Sequence, residues 1–308
     1  VIVSMMGAQA GTPTPVPSAT RVLVYIRGHV KQFTKLQNAS MALMPCNLVF
    51  NKIHKCASST SGGVTRRIGA HNGLSGVGSV TWPDPEPGLW ANHDPIALHW
   101  EGLGLLRQCT VLWTVVRQPV ERCLSAFYHF ELAREVRTSA SVSQKTKYLH
   151  SAQCRDYMFN YMKPPDKVAL TLGLQAWTPA SLLGQVYSFV GVAERYDESM
   201  VLLSSLLGIP LSHVLYLKSK DSNAGGRDGS GFQFVAHLPL SEEPSEVRRA
   251  ATSTTFNKSN ARDLELHRLA NEKMDRMWRE DREALDAKLA AFQSARARAE
   301  EKCAGLSV

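Results

Sequence analysis

Nothing in the 308-residue chain spells a zinc site, a Walker A loop or a nucleic-acid-reading module. Its six cysteines (Cys46, Cys56, Cys109, Cys123, Cys154, Cys303) are irregularly spaced and never form a CxxC pair, so no metal is expected. One or two disulfides and buried free thiols stay equally open. No GxxxxGK[ST] is present, which disfavours a kinase or nucleoside triphosphatase of the P-loop type. The net charge of +8 comes without any zinc-finger or RNA-reading signature, so nucleic acid is not an expected partner. A diffuse basic balance fits solubility, or attraction to nucleotides and polyanions. Internal repeats are absent, and the apolar opening VIVSMM is far too short to cross a bilayer, which takes about 20 residues.

What is present reads as globular. Hydrophobic residues make up 44% and charged residues 20%, and the length suffices for one large α/β domain. Gly11 to Thr20 (GTPTPVPSAT) alternates Pro with Ser and Thr, as an extended linker does, so residues 1–20 are expected to be a stem. Residues 21–290 would form the domain, and 291–308 a charged helix end or tail that frays. Buried strands are expected at Asn47–Asn51, Thr110–Val116, Tyr187–Val192 and Val214–Leu217, with Val22–Ile26 a weaker candidate. Helical patterns cover Thr60–Gly69, Pro119–Ala133, Tyr196–Leu207 and about Ser259–Lys302. Strands alternating with helices predict an α/β fold with a mainly parallel sheet covered on both faces. Ser219–Glu243 reads as a long polar loop.

Two segments carry chemistry. NKIHKCASSTSGGVTRRIG, Asn51 to Gly69, reads as strand, turn and helix, with Lys52 and Lys55 ahead of Ala57, Ser58, Ser59 and Thr60. A helix start offers unpaired N–H groups and partial positive charge, and small residues let a phosphate approach them. A plain Ser/Thr-capped turn accounts for the same residues about as well. TVLWTVVRQPVERCLSAFYHF, Thr110 to Phe130, runs a strand into Arg117, and Pro119 then opens a helix that carries Ser125. Arg117 at the carboxyl end of a parallel strand faces the crevice where such sheets bind ligands, and Ser125 two turns on can meet the same anion. A surface Arg–carboxylate pair beside a capping Pro is the competing account.

In this order the segments resemble the 5′-phosphosulfate loop and the 3′-phosphate site of sulfotransferases that use 3′-phosphoadenosine-5′-phosphosulfate (PAPS). More narrowly, FNKIHKCASST, RRIGAHNGL, WANHD, VRQPVERCLSAFYHF, VGVAERYDESMVLLSSLLGIPLSHVLYLK and NKSNARDLELHRLAN resemble the galactose-3-O-sulfotransferases, among them galactosylceramide sulfotransferase. The resemblance covers roughly Asn47 to Asn271. It implies a P-loop-NTPase-like sulfotransferase fold with PAPS as co-substrate and no metal. Lys55 would contact the sulfate-bridging oxygen, with Lys52 also binding the cofactor; Ala57, Ser58, Ser59 and Thr60 would hold the 5′-phosphate; Arg117 and Ser125 would hold the 3′-phosphate. His93 falls where related enzymes place a catalytic histidine, and imidazole suits removal of a hydroxyl proton. His54, His71, His99 and His129 compete for that role. The implied acceptor is the 3-hydroxyl of galactose on a glycolipid or glycan. The alternatives are the 2-hydroxyl of a hexuronic acid in a glycosaminoglycan, or a non-catalytic binding protein of the same fold. The implied location is the Golgi lumen, in a type II membrane protein whose anchor would lie N-terminal to this chain. Asn38 and Asn257 head N-glycosylation triplets. The chain departs from the family at Cys56, where a Thr is expected, at His267, where a Tyr is expected, and in the Ser219–Gly231 loop.

Overall fold

The computed structural model describes residues 21–26, 29–34, 47–74, 88–101, 110–135, 139–217, 235 and 238–303. The stem of residues 1–20, Asn38, Cys46, Cys109 and most of the 219–243 loop lie outside the described residues. Strands β1 (Arg21–Ile26) and β2 (His29–Thr34) pair antiparallel, with Arg21 opposite Thr34. The central sheet holds β3 (Asn47–Asn51), β4 (Gly88–Asn92), β5 (Thr110–Val116) and β6 (Phe189–Val192). All its pairings are parallel, in the order β4–β3–β5–β6.

The helices follow in chain order. They are α1 (Ser58–His71), α2 (Ile96–His99) and α3 (Pro119–Ala126), the last continuing as a π-helical turn over Phe127–Ala133. Next come α4 (Val142–Leu149), α5 (Tyr157–Met162), α6 (Asp166–Thr171) and α7 (Pro179–Ser181), which runs into a second π turn at Leu182–Val186. Then follow α8 (Tyr196–Leu207), α9 (Leu211–Val214), α10 (Ser245–Ala251), α11 (Thr254–Ser259), α12 (Ala261–Glu280) and α13 (Arg282–Cys303).

The sheet is apolar on both faces, as a covered parallel sheet must be. Leu48, Val49, Phe50, Trp90 and Trp113 are all fully buried. Side chains of this size each contribute roughly 1.5–3 kcal/mol on burial. Helices α1 and α8 both pack on α9, while α12 packs on α5, α8 and β6. Gly191 in β6 is required where α8 meets that strand: a Cβ there would sit 2.9 Å from the Ser199 Cβ of α8. Across the sheet, the buried Asn51 side chain donates to the Tyr161 carbonyl of α5 (3.3 Å) and to the Tyr187 hydroxyl (2.7 Å).

A second apolar cluster joins α3, its π turn, α4 and α10 around Leu124, Phe127, Leu149, Val247 and Phe256. It is stapled by a Cys123–Cys154 disulfide, with Cα atoms 5.5 Å apart. It is also tied by a buried network in which Lys145 Nζ donates to Glu243 (2.7 Å) and Tyr128 donates to the same carboxylate (2.7 Å).

Three local expectations are corrected. Val214–Leu217 is not a strand. Pro210 precedes the short α9, Val214 is buried beneath α1 and α8, and an apolar run packed under helices looks the same in sequence as a paired strand. The Pro119–Ala133 helix is α-helical only to Ala126 and then widens into its π turn. Beyond Ala290 the chain does not fray: α13 reaches Cys303, Phe292 is fully buried, and Arg296 pairs with Asp197. The strand β4 has no sequence signal, because GLWAN is short, follows a Pro-rich stretch and lacks β-branched residues.

Candidate functional site

Four parallel strands send their carboxyl ends to one edge of the sheet, and the strand order reverses between β3 and β5. A crevice opens at such a switch point, between the segments that leave the two strands. Here those segments are Lys52–Ala57, leading into α1, and Arg117–Gln118, leading into α3.

The first segment folds as a tight turn without glycine. Lys55 (φ 66) and Ala57 (φ 53) both take the left-handed conformation, which costs about 1–3 kcal/mol each for such residues. The turn is held by the Cys56 amide donating to the Ile53 carbonyl (3.4 Å) and the Ser61 amide donating to the Ala57 carbonyl (3.0 Å). It delivers the chain into a 14-residue helix whose first turn comprises Ser58, Ser59 and Thr60. First-turn N–H groups have no intrahelical acceptor and carry the positive end of the helix dipole, so a helix start of this kind can receive an anion. The Lys52 side chain passes over α1, where a Cβ added at Gly62 would lie 3.5 Å from Lys52 Cε.

Arg117 closes the crevice from the β5 side. Its Nη1 donates to the Lys55 carbonyl (3.3 Å), and its Nη2 lies 3.5 Å from Glu121. The Arg–carboxylate pair and the approach to the loop therefore coexist. Gln118 caps α3, its side chain accepting from the Glu121 amide, and Ser125 lies two turns along that helix, 6% exposed.

The floor is built by residues with no functional signal in the sequence. The Met158 sulfur lies 3.7 Å from Cys56 Sγ and accepts from the Arg117 amide (3.4 Å). Burial pushes the Cys56 thiol up to about 12, so it stays an uncharged packing group. Met158 is placed by a reciprocal cap: Asp263 accepts from the Met158 (3.0 Å) and Phe159 (2.7 Å) amides, while Asp156 accepts from the Arg262 (2.9 Å) and Asp263 (3.2 Å) amides. Asn260 Oδ1 accepts from the Asp156 amide (3.3 Å). The Asn…Asp pattern of the closing segment thus locks α12 to α5 beneath the loop. Arg122 is buried as well, 1% exposed, donating to the Gln153 carbonyl (2.9 Å) and lying 4.3 Å over the Tyr157 ring.

His93 directly follows β4 and stacks on His54, with ring centroids 4.0 Å apart and planes within 5°. His54 also meets the edges of Phe130 (5.4 Å) and Tyr161 (6.0 Å). Burial, then the charges of Lys55, Lys52, Arg122 and Arg134, lower the His54 imidazole to about 4. Next to His93, the Asn92 side chain accepts from the His93 amide (2.8 Å) and donates to Asp94 (2.8 Å), which pairs with His99 at 3.0 Å. His71 lies elsewhere, stacked on His213 (4.2 Å), while His129 packs on Phe130 (4.7 Å), the ring that also meets His54. The structure therefore brings His54, His93, the Lys52–Thr60 segment and Arg117 to one edge of the sheet.

His267, where the resemblance implies a Tyr, reaches the same edge indirectly. It lies 3.2 Å from Glu194, whose other oxygen accepts from the Gln118 amide (2.9 Å). Burial alone would raise the Glu194 carboxyl, but these two hydrogen bonds outweigh it and hold the group below its usual range. A cavity of about 340 Å³ adjoins Glu194, walled by Tyr196, Asp197, Tyr216 and Arg296. Its Arg296 and Asp197 are paired with each other.

Among the described residues no helix is long and apolar enough to cross a membrane, and no group of three or more His, Cys, Asp or Glu is arranged to hold a metal ion. Neither a protein-family model nor a curated protein matches the chain.

Proposed function

We propose that the chain is a sulfotransferase that moves the sulfuryl group of PAPS onto a sugar hydroxyl, on a P-loop-NTPase-like sulfotransferase fold. The observation that carries this reading is the Arg117–Lys55 contact, which ties a cationic strand end to an anion-cradling turn at the switch point of a parallel sheet. A ligand with phosphates at two separate positions suits two such cationic elements.

In this reading the amides and hydroxyls of Ala57, Ser58, Ser59 and Thr60 hold the 5′-phosphate, and Arg117 with Ser125 holds the 3′-phosphate. Lys55 and Lys52 stabilise the bridging oxygen, which gains charge as its bond to sulfur breaks. The new bond forms between sulfur and the acceptor oxygen, and the hydroxyl proton passes to His93. His54 stays neutral, so it stacks on His93 without adding a second positive charge when His93 takes the proton.

The acceptor in this reading is a galactose-type hydroxyl on a glycolipid or glycan. The Cys123–Cys154 disulfide suits an oxidising compartment such as the Golgi lumen. The test is transfer of labelled sulfate from PAPS onto galactosylceramide, lactosides and unsulfated glycosaminoglycans, beside calorimetry with adenosine 3′,5′-bisphosphate. Absence of both transfer and nucleotide binding refutes the proposal.

A further inference from the structure

The π turn after α3 brings Phe130 against His54 of the histidine stack, and Arg134 follows directly after the turn. Phe130 sets its ring edge-on to His54, 5.4 Å between centroids, and the Arg134 guanidinium lies 4.8 Å over the other aromatic partner, the Phe130 ring itself. A π turn inside an α-helix is uncommon and is frequently found at functional sites, because the extra residue redirects side chains. Four cations come near enough to His54 to oppose its protonation: Lys55, Lys52, Arg122 and Arg134. Three of them have evident work. Lys52 and Lys55 belong to the anion-binding segment, and Arg122 is buried against Gln153 and Tyr157.

Arg134 differs from these three. It is exposed, follows a separate element, and its guanidinium contacts the Phe130 ring, 4.8 Å from the ring centre. A guanidinium held by an aromatic ring retains N–H donors for a planar anion beside it. It therefore stands at the rim of the site, preorganised on Phe130, just after the element that also touches His54.

We infer that Phe130 and Arg134 form an acceptor subsite for an acidic sugar, with the Phe130 face against the ring and Arg134 paired to a carboxylate beside the reacting hydroxyl. This rests on the sulfuryl-transfer part of that reading and revises its acceptor: the preferred acceptor carries a uronic-type carboxylate beside the reacting hydroxyl. Arg134 is then a specificity-determining residue, and the chemistry at His93 and Lys55 is unchanged.

The test compares unsulfated chondroitin with the same polymer after reduction of its carboxyl groups, using labelled PAPS and the full chain. The expected result is that kcat/KM falls by about ten- to a hundredfold on carboxyl reduction, the scale of one charge-assisted hydrogen bond. In Arg134→Ala that difference collapses through a raised KM for the acidic polymer, with the affinity for adenosine 3′,5′-bisphosphate retained; Arg134→Lys recovers part of it. Calorimetry of a chondroitin hexasaccharide against the nucleotide-saturated protein gives a readout independent of turnover. Equal use of the two polymers, stronger use of a lactoside or galactosylceramide than of chondroitin, or hexasaccharide binding indifferent to Arg134 overturns the acidic subsite and leaves sulfuryl transfer standing. Absence of both nucleotide binding and transfer overturns the sulfotransferase reading itself.

Discussion

The His54 ring lies flat on the His93 ring, 4.0 Å away, although the two residues leave different strands of the sheet. Stacked imidazoles share their environment but cannot both be charged without repulsion. Surrounded by Lys55, Lys52, Arg122 and Arg134, and mostly shielded from water, His54 is the one kept neutral.

Its titration should therefore be displaced far to the acid side. The expected midpoint for the His54 ring by NMR is about 4, against an ordinary imidazole value of 6.5. Between those values the folded state binds fewer protons than the unfolded one. The stability this group contributes is thus complete above about pH 6.5 and lost as pH falls toward 4. A His54 midpoint near 6.5 would contradict this placement.

Arg117→Ala should weaken binding of adenosine 3′,5′-bisphosphate by about 1.5–3 kcal/mol, the range for a hydrogen bond to a charged group. The substitution also frees the Lys55 carbonyl and Glu121, so Arg117→Lys, which keeps the charge but not the fork, should recover only part of the affinity. Unchanged affinity by calorimetry would remove Arg117 from the nucleotide site.

Much of this arrangement was legible beforehand, and for identifiable reasons. The runs NLVFN and TVLWTVV have no polar interruption inside them, and both form central strands. Lys52–Thr60 and Arg117 were readable because a turn dense in small residues and a cation at a strand end each have a local meaning. What stayed hidden is non-local. Cys56, Met158, Arg122 and Asp263 form the floor only because α5 and α12 cross beneath the loop, and partners about a hundred residues apart leave no periodic trace. His54 was visible as a histidine, but its partner follows the neighbouring strand β4, about forty residues on in the chain.

Asp263→Ala should cost about 2–4 kcal/mol in a denaturant titration, since it strands two buried amide donors and loosens the cap that carries Met158. Burial raises the Asp263 carboxyl to about 6, from an ordinary value of 3.8, against the pull of those two hydrogen bonds. The folded state then holds a proton that the unfolded state releases, so this group's contribution to stability falls as pH rises from about 4 to 6, opposite in sign to His54. A loss below about 0.5 kcal/mol would show that the cap does not bear on stability.

The Cys123–Cys154 disulfide closes 31 residues of chain, and the loop-entropy relation gives about 3–4 kcal/mol for a loop of that length. Cys123→Ser with Cys154→Ser should lose that stability and loosen α3 from the segment ahead of α5, measured as lower Tm and faster amide exchange over 119–133. Wild-type stability in the double variant would contradict the pairing.

The most direct measurement is transfer of labelled sulfate from PAPS by the wild type, Lys55→Ala and His93→Ala on one acceptor panel. The expected result is transfer by the wild type and a loss of roughly 10²–10⁴ in turnover in His93→Ala, as for removal of a general base, with nucleotide affinity retained. Lys55→Ala should lose turnover as well. Nucleotide binding without transfer to any acceptor would contradict catalysis, and full turnover in His93→Ala would contradict its role as the base.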